Sequence, residues 1–411
     1  MKIAVVGCGI SGLGAAYYLA KQHEVTVFEK EDYPGGHTNT IMVEEDGKKL
    51  PVDTGFIVFN DKTYPNLNRF FDELGISAKN TDMSFSVYNK MTGLQWNGGN
   101  LSGLFAQKRN LFNIKYLRLL WQAKNFFQKA PETTKGIDYS CSMGEYLDTY
   151  KYGTYFRENF ILPMGSAVWS TPPGKMLSFP ALTLIQFFKN HGFLDVSQTV
   201  QWKSVQNGSK SYVEKALANS KIELKLKEPV ASVEKVKENL CKLTTEKREY
   251  QFDKVIFACH APTTVKIFKS ITQEQKQVLD KFQYEKNIAI LHSDESSMPT
   301  RRKAWACWNF KMYPGERTST VYWMNRLQNL DYQKNYFVSI NEHDELDPAK
   351  VIRTIEYEHP LFDTDAMQNQ AALQQLNQDG TVFFAGAYFR YGFHEDGISS
   401  GLEVVRRLQG E

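Results

Sequence analysis

The sequence lacks three features, and each absence excludes a class of protein. Its five cysteines are scattered and form no C-x-x-C pair, which argues against a disulfide framework or a metal site and favours a reducing, cytoplasmic setting. No run of about eighteen apolar residues occurs, and Lys2 and Gly7 bound the apolar stretch 3–6, so neither a transmembrane span nor a signal peptide is expected. A net charge of +3 provides no basic field for nucleic acid.

The remaining composition is that of a folded globular protein. The chain has 411 residues, which predicts two or three domains, and 42% of them are hydrophobic and 23% charged. Aromatic residues make up 13%, including 27 Phe and 21 Tyr. This share suits a protein that encloses a large flat or apolar ligand, although aromatic residues also fill ordinary cores.

The N-terminal part reads as strand, glycine turn, helix and strand. Lys2–Val6 is a continuous apolar run, Ser11–Lys21 combines helix formers with apolar spacing, and Glu24–Glu29 is a second strand. Continuous apolar strands joined by a helix are typical of a buried parallel sheet. A hairpin is predicted over Ile41–Gly55, turning at Asp46-Gly47.

The later pattern differs. Four runs predict an antiparallel sheet: Asn287–Ser293, Ala304–Phe310, Ser319–Asn325 and Tyr336–Asn341. A strand at Thr381–Ala385 and a helix at Ile398–Leu408 close the chain. We therefore predict an α/β chain, α+β overall.

Two domains are expected from these patterns. A Rossmann-like dinucleotide-binding domain takes three segments: 1–80, 202–270 and 376–411. A substrate-binding domain, with helices and the antiparallel sheet, takes the two intervening segments, 81–201 and 271–375.

The strongest motif is the glycine-rich turn between the first strand and the first helix. Gly7 permits a tight turn, Gly9 lets backbone N–H groups approach a pyrophosphate, and Gly12 lets helix and strand pack closely. The helix N-terminus, at Ile10 and Ser11, offers unpaired donors and partial positive charge to phosphate.

An acidic residue ends the second strand. Glu29 lies at the position where a carboxylate accepts hydrogen bonds from a ribose and disfavours a 2′-phosphate. Lys30, beside it, is expected to contact the same cofactor. A plain βαβ unit would share the glycine turn, but the strand–turn–helix context together with this acid favours a dinucleotide.

Four later motifs follow in a fixed order: Tyr33–Thr38 (YPGGHT), Asp53–Phe56 (DTGF), Phe384–Ala387 (FAGA) and Gly392–Gly401 (GFHEDGISSG). At these residues the chain resembles the flavin-containing amine oxidase superfamily, which includes phytoene desaturases, protoporphyrinogen oxidases and polyunsaturated fatty-acid isomerases. The runs Pro163–Pro172, Asn190–Leu194, Tyr322–Gln328 and Gly392–Gly397 (GFHEDG) resemble a bacterial and plant subgroup of predicted NAD/FAD-binding proteins, often associated with cyclopropane-fatty-acid synthases.

The resemblance implies FAD as cofactor, with contacts from eight further residues: Gly35, Gly36, His37, Thr38, Val230, Gly386, Gly397 and Ile398. The last two would open the final helix beneath the flavin, where a helix N-terminus stabilises negative charge on the reduced ring. Tyr33-Pro34 replaces a basic residue usual in the family, and Ala387 replaces an acidic one. Some amine oxidases bind FAD covalently through a cysteine in this region, but residues 387–391 contain none. The resemblance therefore implies non-covalent binding.

Two residues of the GFHEDG run are catalytic candidates. His394 could relay a proton near neutral pH, and Glu395 could accept one. The alternative is that His394 only shapes the loop and Glu395 caps a helix or forms an ion pair. 

The predicted antiparallel strands supply five candidate substrate contacts: His292, Trp305, Trp308, Tyr322 and Trp323. An aromatic wall over the flavin and an ordinary aromatic core both explain this spacing. No lysine matches the one that bridges a water to flavin N5 in several amine oxidases, which counts against an amine substrate.

Residues 101–130 combine six cations with many apolar and aromatic side chains and contain no acidic residue. A basic, aromatic-rich helix can lie in the lipid headgroup region, so peripheral binding to an anionic membrane at its inner face is one expectation. The alternative is a domain helix whose apolar stripe packs inward and whose lysines are solvated.

The leading functional hypothesis is an FAD-dependent oxidase or desaturase that acts on an apolar substrate by hydride transfer to flavin N5. The first candidate for this substrate is a fatty acyl chain of a lipid. The alternatives are a redox-neutral double-bond isomerase, an amine oxidase, and a non-catalytic flavoprotein that partners a lipid-methylating enzyme.

Overall fold

A computed structural model describes residues 1–192, 200–218, 221–315, 317–330 and 332–410. Residues 193–194, which end the Asn190–Leu194 motif, lie outside these ranges. The strands, in chain order, are β1 Lys2–Val6, β2 Glu24–Phe28, β3 Thr40–Glu45, β4 Lys48–Asp53, β5 Phe59–Asn60, β6 Ala78–Thr81, β7 Phe85–Asn89, β8 Leu94–Asn97, β9 Trp202–Val205, β10 Ile222–Lys225, β11 Val230–Lys237, β12 Leu240–Thr245, β13 Glu249–Phe252, β14 Lys254–Phe257, β15 Tyr284–His292, β16 Trp308–Met312, β17 Thr318–Trp323, β18 Phe337–Ile340, β19 Val351–Pro360 and β20 Val382–Phe384.

The α-helices are α1 Ile10–Leu19, α2 Pro65–Leu74, α3 Leu101–Leu104, α4 Ile114–Thr133, α5 Met143–Thr149, α6 Thr154–Phe156, α7 Leu162–Trp169, α8 Pro173–Met176, α9 Ala181–Asn190, α10 Lys210–Leu217, α11 Ala261–Ile267, α12 Gln273–Leu279, α13 Met324–Leu327, α14 Thr364–Leu373 and α15 His394–Gln409. Short 3₁₀ turns connect several of them, and a π-helical turn at Arg157–Ile161 joins α6 to α7. In the described ranges, no helix combines the length and apolarity needed to cross a bilayer.

The predicted parallel sheet is present and has five strands in the order β10-β2-β1-β14-β20. Along β1, Ile3 and Val5 belong to one buried cluster and Ala4 and Val6 to another. Both faces of the sheet are therefore covered, which explains why β1 is apolar from Ile3 to Val6. The predicted α/β class is confirmed.

The predicted hairpin is formed by β3 and β4 in antiparallel register. Asp46 and Gly47 connect the strands with positive φ angles of 50° and 75°. A two-residue turn with both φ angles positive matches the twist of the flanking strands, and Asp-Gly accommodates it at little cost.

The predicted antiparallel strands belong to a seven-stranded sheet in the order β19-β15-β18-β17-β16-β7-β8. Its strands are antiparallel except for β16 and β7, which pair in parallel. The predicted strand at Ala304–Phe310 is wrong in its first half, because Arg302–Ala304 forms a 3₁₀ turn and the strand begins at Trp308.

Residues 101–130 do not form one helix as expected. They contain α3, a 3₁₀ turn at Lys108–Phe112, and α4. Asn113 separates the last two, because its side chain accepts hydrogen bonds from the backbone N–H groups of Lys115 and Tyr116 and so starts α4 anew.

Candidate functional site

A cavity of about 1070 Å³ runs from the glycine-rich turn after β1 to the face of the seven-stranded sheet. This volume lies just above the usual range for small-molecule and cofactor sites, roughly 300–1000 Å³. Gly7, Gly9, Ile10 and Ser11 all line it.

The glycines of this turn have different tasks. Gly7 adopts a φ of 104°, and a Cβ there would lie 2.7 Å from the carbonyl oxygen of Ala258. A Cβ on Gly12 would overlap the carbonyl oxygen of Gly7, so Gly12 lies behind the cavity and keeps α1 against β1. A Cβ on Gly9 would meet nothing within 4 Å. Open space at the N-terminus of a buried helix is the cradle that a pyrophosphate requires.

Glu29 is fixed at the cavity wall by backbone donors. Its Oε2 accepts the N–H of Cys8 at 2.9 Å, and its Oε1 accepts that of Glu31 at 3.1 Å. Lys30 and Val230 line the same end of the cavity. A carboxylate held at the end of β2 can accept ribose hydroxyl groups, as the sequence predicted.

The glycine doublet lies against the first glycine turn. Gly35 donates its N–H to the carbonyl of Cys8 at 3.0 Å, and a Cβ on Gly36 would approach Gly9 Cα to 3.3 Å. Gly35, Gly36 and His37 line the cavity. The two turns therefore form one continuous backbone surface beside the cavity.

Thr38 does not reach this surface. It is fully buried, and its hydroxyl hydrogen-bonds the Tyr212 hydroxyl and, at 2.9 Å, His394 Nε2. Its predicted cofactor contact is corrected to a supporting role behind the glycine doublet, because the turn that returns the Thr38 N–H to the carbonyl of Gly35 leaves its side chain against Tyr212 and His394.

The final helix starts earlier than the sequence indicated. α15 begins at His394, and Asp396 caps it by accepting the N–H groups of Phe393 at 3.0 Å and Tyr391 at 3.2 Å. Gly386, Phe393 and His394 line the cavity. The cavity thus meets the N-terminus of α15, whose backbone dipole favours negative charge.

Gly397 and Ile398 have a different role from the one predicted. A Cβ on Gly397 would lie 2.6 Å from Ile10 Cγ2, and a Cβ on Gly14 would lie 3.1 Å from Ile398 Cγ1. Both residues are buried between α15 and α1. They hold the two helix N-termini together and do not line the cavity, because they lie one turn inside the helix.

His394 is enclosed by aromatic and polar neighbours. Its ring stacks on Phe56, and its Nε2 lies 3.1 Å from the Tyr212 hydroxyl in addition to Thr38. Burial lowers the pKa of His394 to about 3. The imidazole is therefore neutral near pH 7, which does not suit the predicted proton relay.

Glu395 faces away from the cavity and is not a catalytic base in this structure. Its carboxylate accepts the N–H groups of Asn66 at 3.1 Å and Leu67 at 3.0 Å, together with the Asn66 amide at 2.9 Å. These donors are the otherwise unpaired groups at the start of α2. The capping alternative applies, with the capped helix 329 residues earlier in the chain.

A histidine cluster that sequence reasoning missed faces the glycine doublet. His37 stacks on Tyr357 at 4.8 Å and lies 5.0 Å from His359. Burial lowers the pKa of His37 well below its usual value and that of His359 to about 4. Tyr357 and His359 alternate along β19, a period-two signal that identifies one face of a strand.

His37 Nε2 is buried and has no hydrogen-bond partner among the described residues. An unpaired buried polar atom is costly, about 1–3 kcal/mol. The open space at Gly9 and the paired glycine turns fit an FAD-type dinucleotide.

The other end of the cavity is apolar. Its lining there comes from the sheet and the helices: Met83, Phe85, Met164, Val168, Phe187, Trp308, Tyr322, Phe362 and Phe393. Trp308 and Tyr322 are a cross-strand pair with edge-to-face rings 4.9 Å apart. These two predicted substrate residues therefore reach the cavity.

Three predicted substrate residues do not reach the cavity. His292 is fully buried, with its Nε2 2.7 Å from Ser339 Oγ and its Nδ1 accepting the N–H of Asp294. Trp305 and Trp323 pack edge to face at 5.3 Å in a separate cluster with Phe337. Successive residues of a strand point to opposite faces, so Tyr322 and its neighbour Trp323 cannot share the wall.

Comparisons with known proteins agree with this geometry. A profile of the family described as flavin containing amine oxidoreductase matches residues 10–338. A 1-hydroxycarotenoid 3,4-desaturase from Flavobacterium sp. is 31% identical over 160 residues, covering 38% of this chain and 30% of that protein. Matches to the curated relatives span only 12% to 30% of those proteins' lengths.

Two solved structures share the fold over nearly all of their length. Putrescine oxidase bound to putrescine has a TM-score of 0.68 at 16% identity, covering 100% of each chain. A CLA-producing fatty acid isomerase from P. acnes has a TM-score of 0.69 at 14% identity, covering 98% of each chain. The predicted superfamily and the predicted FAD are confirmed. The chain belongs to the flavin-containing amine oxidoreductase family.

Proposed function

We propose that the chain is an FAD-dependent oxidase or desaturase acting on an apolar substrate, with a fatty acyl chain of a lipid as the first candidate. The observation that carries this proposal is the uneven distribution of charge around the cavity. All nine charged lining residues follow β2, precede β11 or belong to β15 and β19: Glu29, Lys30, Glu31, Asp32, Glu228, Lys286, Arg353, Glu356 and Glu358. The lining from α7, α9, β7, β16 and β17 is uncharged.

An amine substrate fits this lining less well than an acyl chain. A cationic amine in the apolar end would lose its hydration without a carboxylate to replace it. The nearest acidic groups on β19 already have partners: Glu358 lies 3.0 Å from His260 Nδ1, and Glu356 lies 2.9 Å from Lys286 Nζ. Lys286 of β15 also lines the cavity, but its side chain is 69% exposed.

The chain's own part in the reaction is to position the substrate and exclude water. Bound FAD supplies the hydride acceptor. Trp308 and Tyr322 bound the substrate end, and Phe56 together with His394 closes the wall near the glycine doublet. We assign His394 a positioning role, because its Nε2 is occupied by Thr38 and Tyr212 and its pKa lies far below neutral pH.

The test is anaerobic reduction of the FAD-loaded protein by candidate substrates. Unsaturated fatty acids and their phospholipid esters should bleach the oxidised-flavin absorbance, whereas a diamine should not. Bleaching by the diamine alone would contradict the proposal and favour an amine oxidase. Failure of every substrate class to bleach the flavin would favour a non-catalytic flavoprotein.

The same substrates separate the oxidase from the isomerase. In air, an oxidase consumes oxygen in proportion to the product formed, and the product has one more double bond. An isomerase returns the hydride to another carbon, so the double bond moves and no oxygen is consumed. The predicted partnership with a lipid-modifying enzyme is a separate expectation, to be tested by co-purification.

A further inference from the structure

The segment between β8 and the middle of α4 exposes an unusual number of large hydrophobic side chains. Fourteen such side chains are exposed among the described residues, and six of them lie within residues 101–121: Leu101, Leu111, Phe112, Ile114, Leu117 and Trp121. Phe112 is 88% exposed, Ile114 80% and Trp121 62%. Single exposed apolar residues are common on proteins, but a group of this size marks an interaction site.

Helix α4 carries two apolar rows on opposite sides. Tyr116, Leu119, Ala123, Phe126 and Ala130 are buried against the helical core. Ile114, Leu117 and Trp121 are exposed. At about 100° per residue, the centres of the two rows lie roughly 170° apart around the helix. The second row therefore cannot be a side effect of the packing that holds α4 in place.

Cations flank the exposed row. Six exposed residues carry positive charge in this segment, and none of them is ion-paired within the described part of the chain: Lys108, Arg109, Lys115, Arg118, Lys124 and Lys129. No acidic residue occurs between positions 101 and 130. An apolar row bordered by uncompensated cations is complementary to a surface with negative charge above and hydrocarbon below.

We propose that residues 101–129 form a docking surface for an anionic lipid bilayer, in which Phe112, Ile114 and Trp121 insert at the headgroup level while the cations contact lipid phosphates. We call this the basic apolar surface. An aqueous protein partner of opposite charge would match the cations but not the exposed row of bulky apolar side chains. Docking requires no turnover and is independent of the substrate.

Flotation of the FAD-loaded protein with vesicles tests the proposal. The protein should float with mixed phosphatidylcholine–phosphatidylglycerol vesicles and less with pure phosphatidylcholine. Raised salt should lower flotation with the anionic vesicles, because salt screens exposed charges. The double variant Phe112→Ser/Trp121→Ser should lose flotation. The control Met42→Ser/Val236→Ser changes two apolar residues elsewhere that are 54% and 58% exposed, and it should float as the parent does.

A second pair of variants tests the charges. Lys115→Gln/Arg118→Gln should weaken binding to the anionic vesicles about 25-fold, since each cation near such a surface contributes a factor of about five. Lys237→Gln/Lys266→Gln, exposed on other elements, should not change it. Flavin absorbance and thermal unfolding confirm that each variant is folded.

Three results would overturn the proposal: no flotation at low salt, equal flotation of the Phe112/Trp121 variant, or equal binding to neutral and anionic vesicles. Gel filtration provides a fourth. If the parent dimerises and Phe112→Ser/Trp121→Ser makes it monomeric, a second copy of the chain covers this surface in place of a bilayer.

Discussion

The imidazole of His394 lies flat on the phenyl ring of Phe56, with ring centroids 3.7 Å apart and 12° between the planes. Loss of hydration beside this ring and the other neighbours explains why the pKa of His394 falls to about 3. We expect its imidazole resonances to show no titration between about pH 5 and pH 8, the range in which histidine normally changes charge. NMR of histidine-labelled protein, assigned with His394→Phe, measures this directly. A midpoint inside that range would contradict the positioning role and restore the proton relay.

Glu395→Gln tests the correction at the neighbouring residue. Glutamine keeps the shape but loses the charge that accepts the N–H groups of Asn66 and Leu67. We expect the free energy of unfolding to fall by about 1–3 kcal/mol, with the rate of flavin reduction unchanged. Urea denaturation and stopped-flow reduction are the two measurements. A large loss of reduction rate at unchanged stability would return Glu395 to the catalytic machinery.

His292 should make stability depend on pH. Burial lowers its pKa to about 4, below the model-peptide value of about 6.5. Its contribution is therefore complete above pH 6.5 and lost as pH falls towards 4, because the unfolded chain then binds the extra proton. We expect the stability difference between the parent and His292→Asn to shrink by about 2 kcal/mol from pH 7 to pH 5.

The comparison with His292→Asn is needed because other buried groups also titrate. Burial raises the pKa of Asp53 to about 6 and that of Asp396 to about 7, and these groups lose stability as pH rises. They are common to both proteins, so they cancel in the difference. A difference that stays constant with pH would show that His292 is protonated alike in both states.

Gly9 and Gly12 form a matched pair. Gly9→Ala should leave the thermal stability of the FAD-free protein nearly unchanged, because a Cβ there meets nothing within 4 Å. FAD binding should weaken at least about tenfold, a change of ~1.4 kcal/mol, since the pyrophosphate must approach this backbone. Gly12→Ala should destabilise the protein itself by roughly 1–3 kcal/mol or more, because its Cβ would overlap the Gly7 carbonyl. Equal behaviour of the two variants would refute the division of roles.

Variants of Trp308 and Trp305 distinguish the substrate-binding wall of the cavity from the hydrophobic core beside it. Trp308→Ala should raise the KM for an acyl substrate about tenfold, equivalent to ~1.4 kcal/mol, since Trp308 lines the cavity. Trp305→Ala should lower stability by roughly 3–5 kcal/mol with the KM unchanged, since it packs against Trp323 away from the cavity. Steady-state kinetics and thermal unfolding of both variants decide the matter.

The elements that could be predicted from the sequence are those specified by near neighbours. The turn at Gly7 and the hairpin at Asp46-Gly47 depend on backbone angles and on apolar runs within a short window. Both glycine turns are visible in the sequence, because tight turns require glycine at particular backbone angles. The contact between Gly36 and Gly9 could be seen only in the structure. Period-two alternation predicted strands at Trp308 and Tyr322, and both residues lie in strands and line the cavity.

The remaining site residues depend on contacts that no local pattern encodes. Glu395 caps a helix from a distant part of the chain, and Tyr212 meets His394 across 182 positions. Trp305 lies three residues before Trp308, a separation that both a strand and a turn allow. The 3₁₀ turn at Arg302–Ala304, which the sequence did not reveal, directs the Trp305 side chain away from the cavity. The long helix predicted for 101–130 failed at Asn113, whose capping preference was visible in the sequence but outweighed by the apolar periodicity around it.

The strand order also determines when the cofactor site can form during synthesis of the chain. β1 pairs with β14 some 250 positions later, and α15 packs so tightly on α1 that Gly401 allows no Cβ beside Ser11. A nascent chain on the ribosome can form the glycine turn early. It cannot complete the flavin site until α15 has been translated and has packed on α1. Binding of the coenzyme is therefore a late step in folding. Until α15 has docked, one face of the parallel sheet is uncovered, and the incomplete chain can aggregate through it.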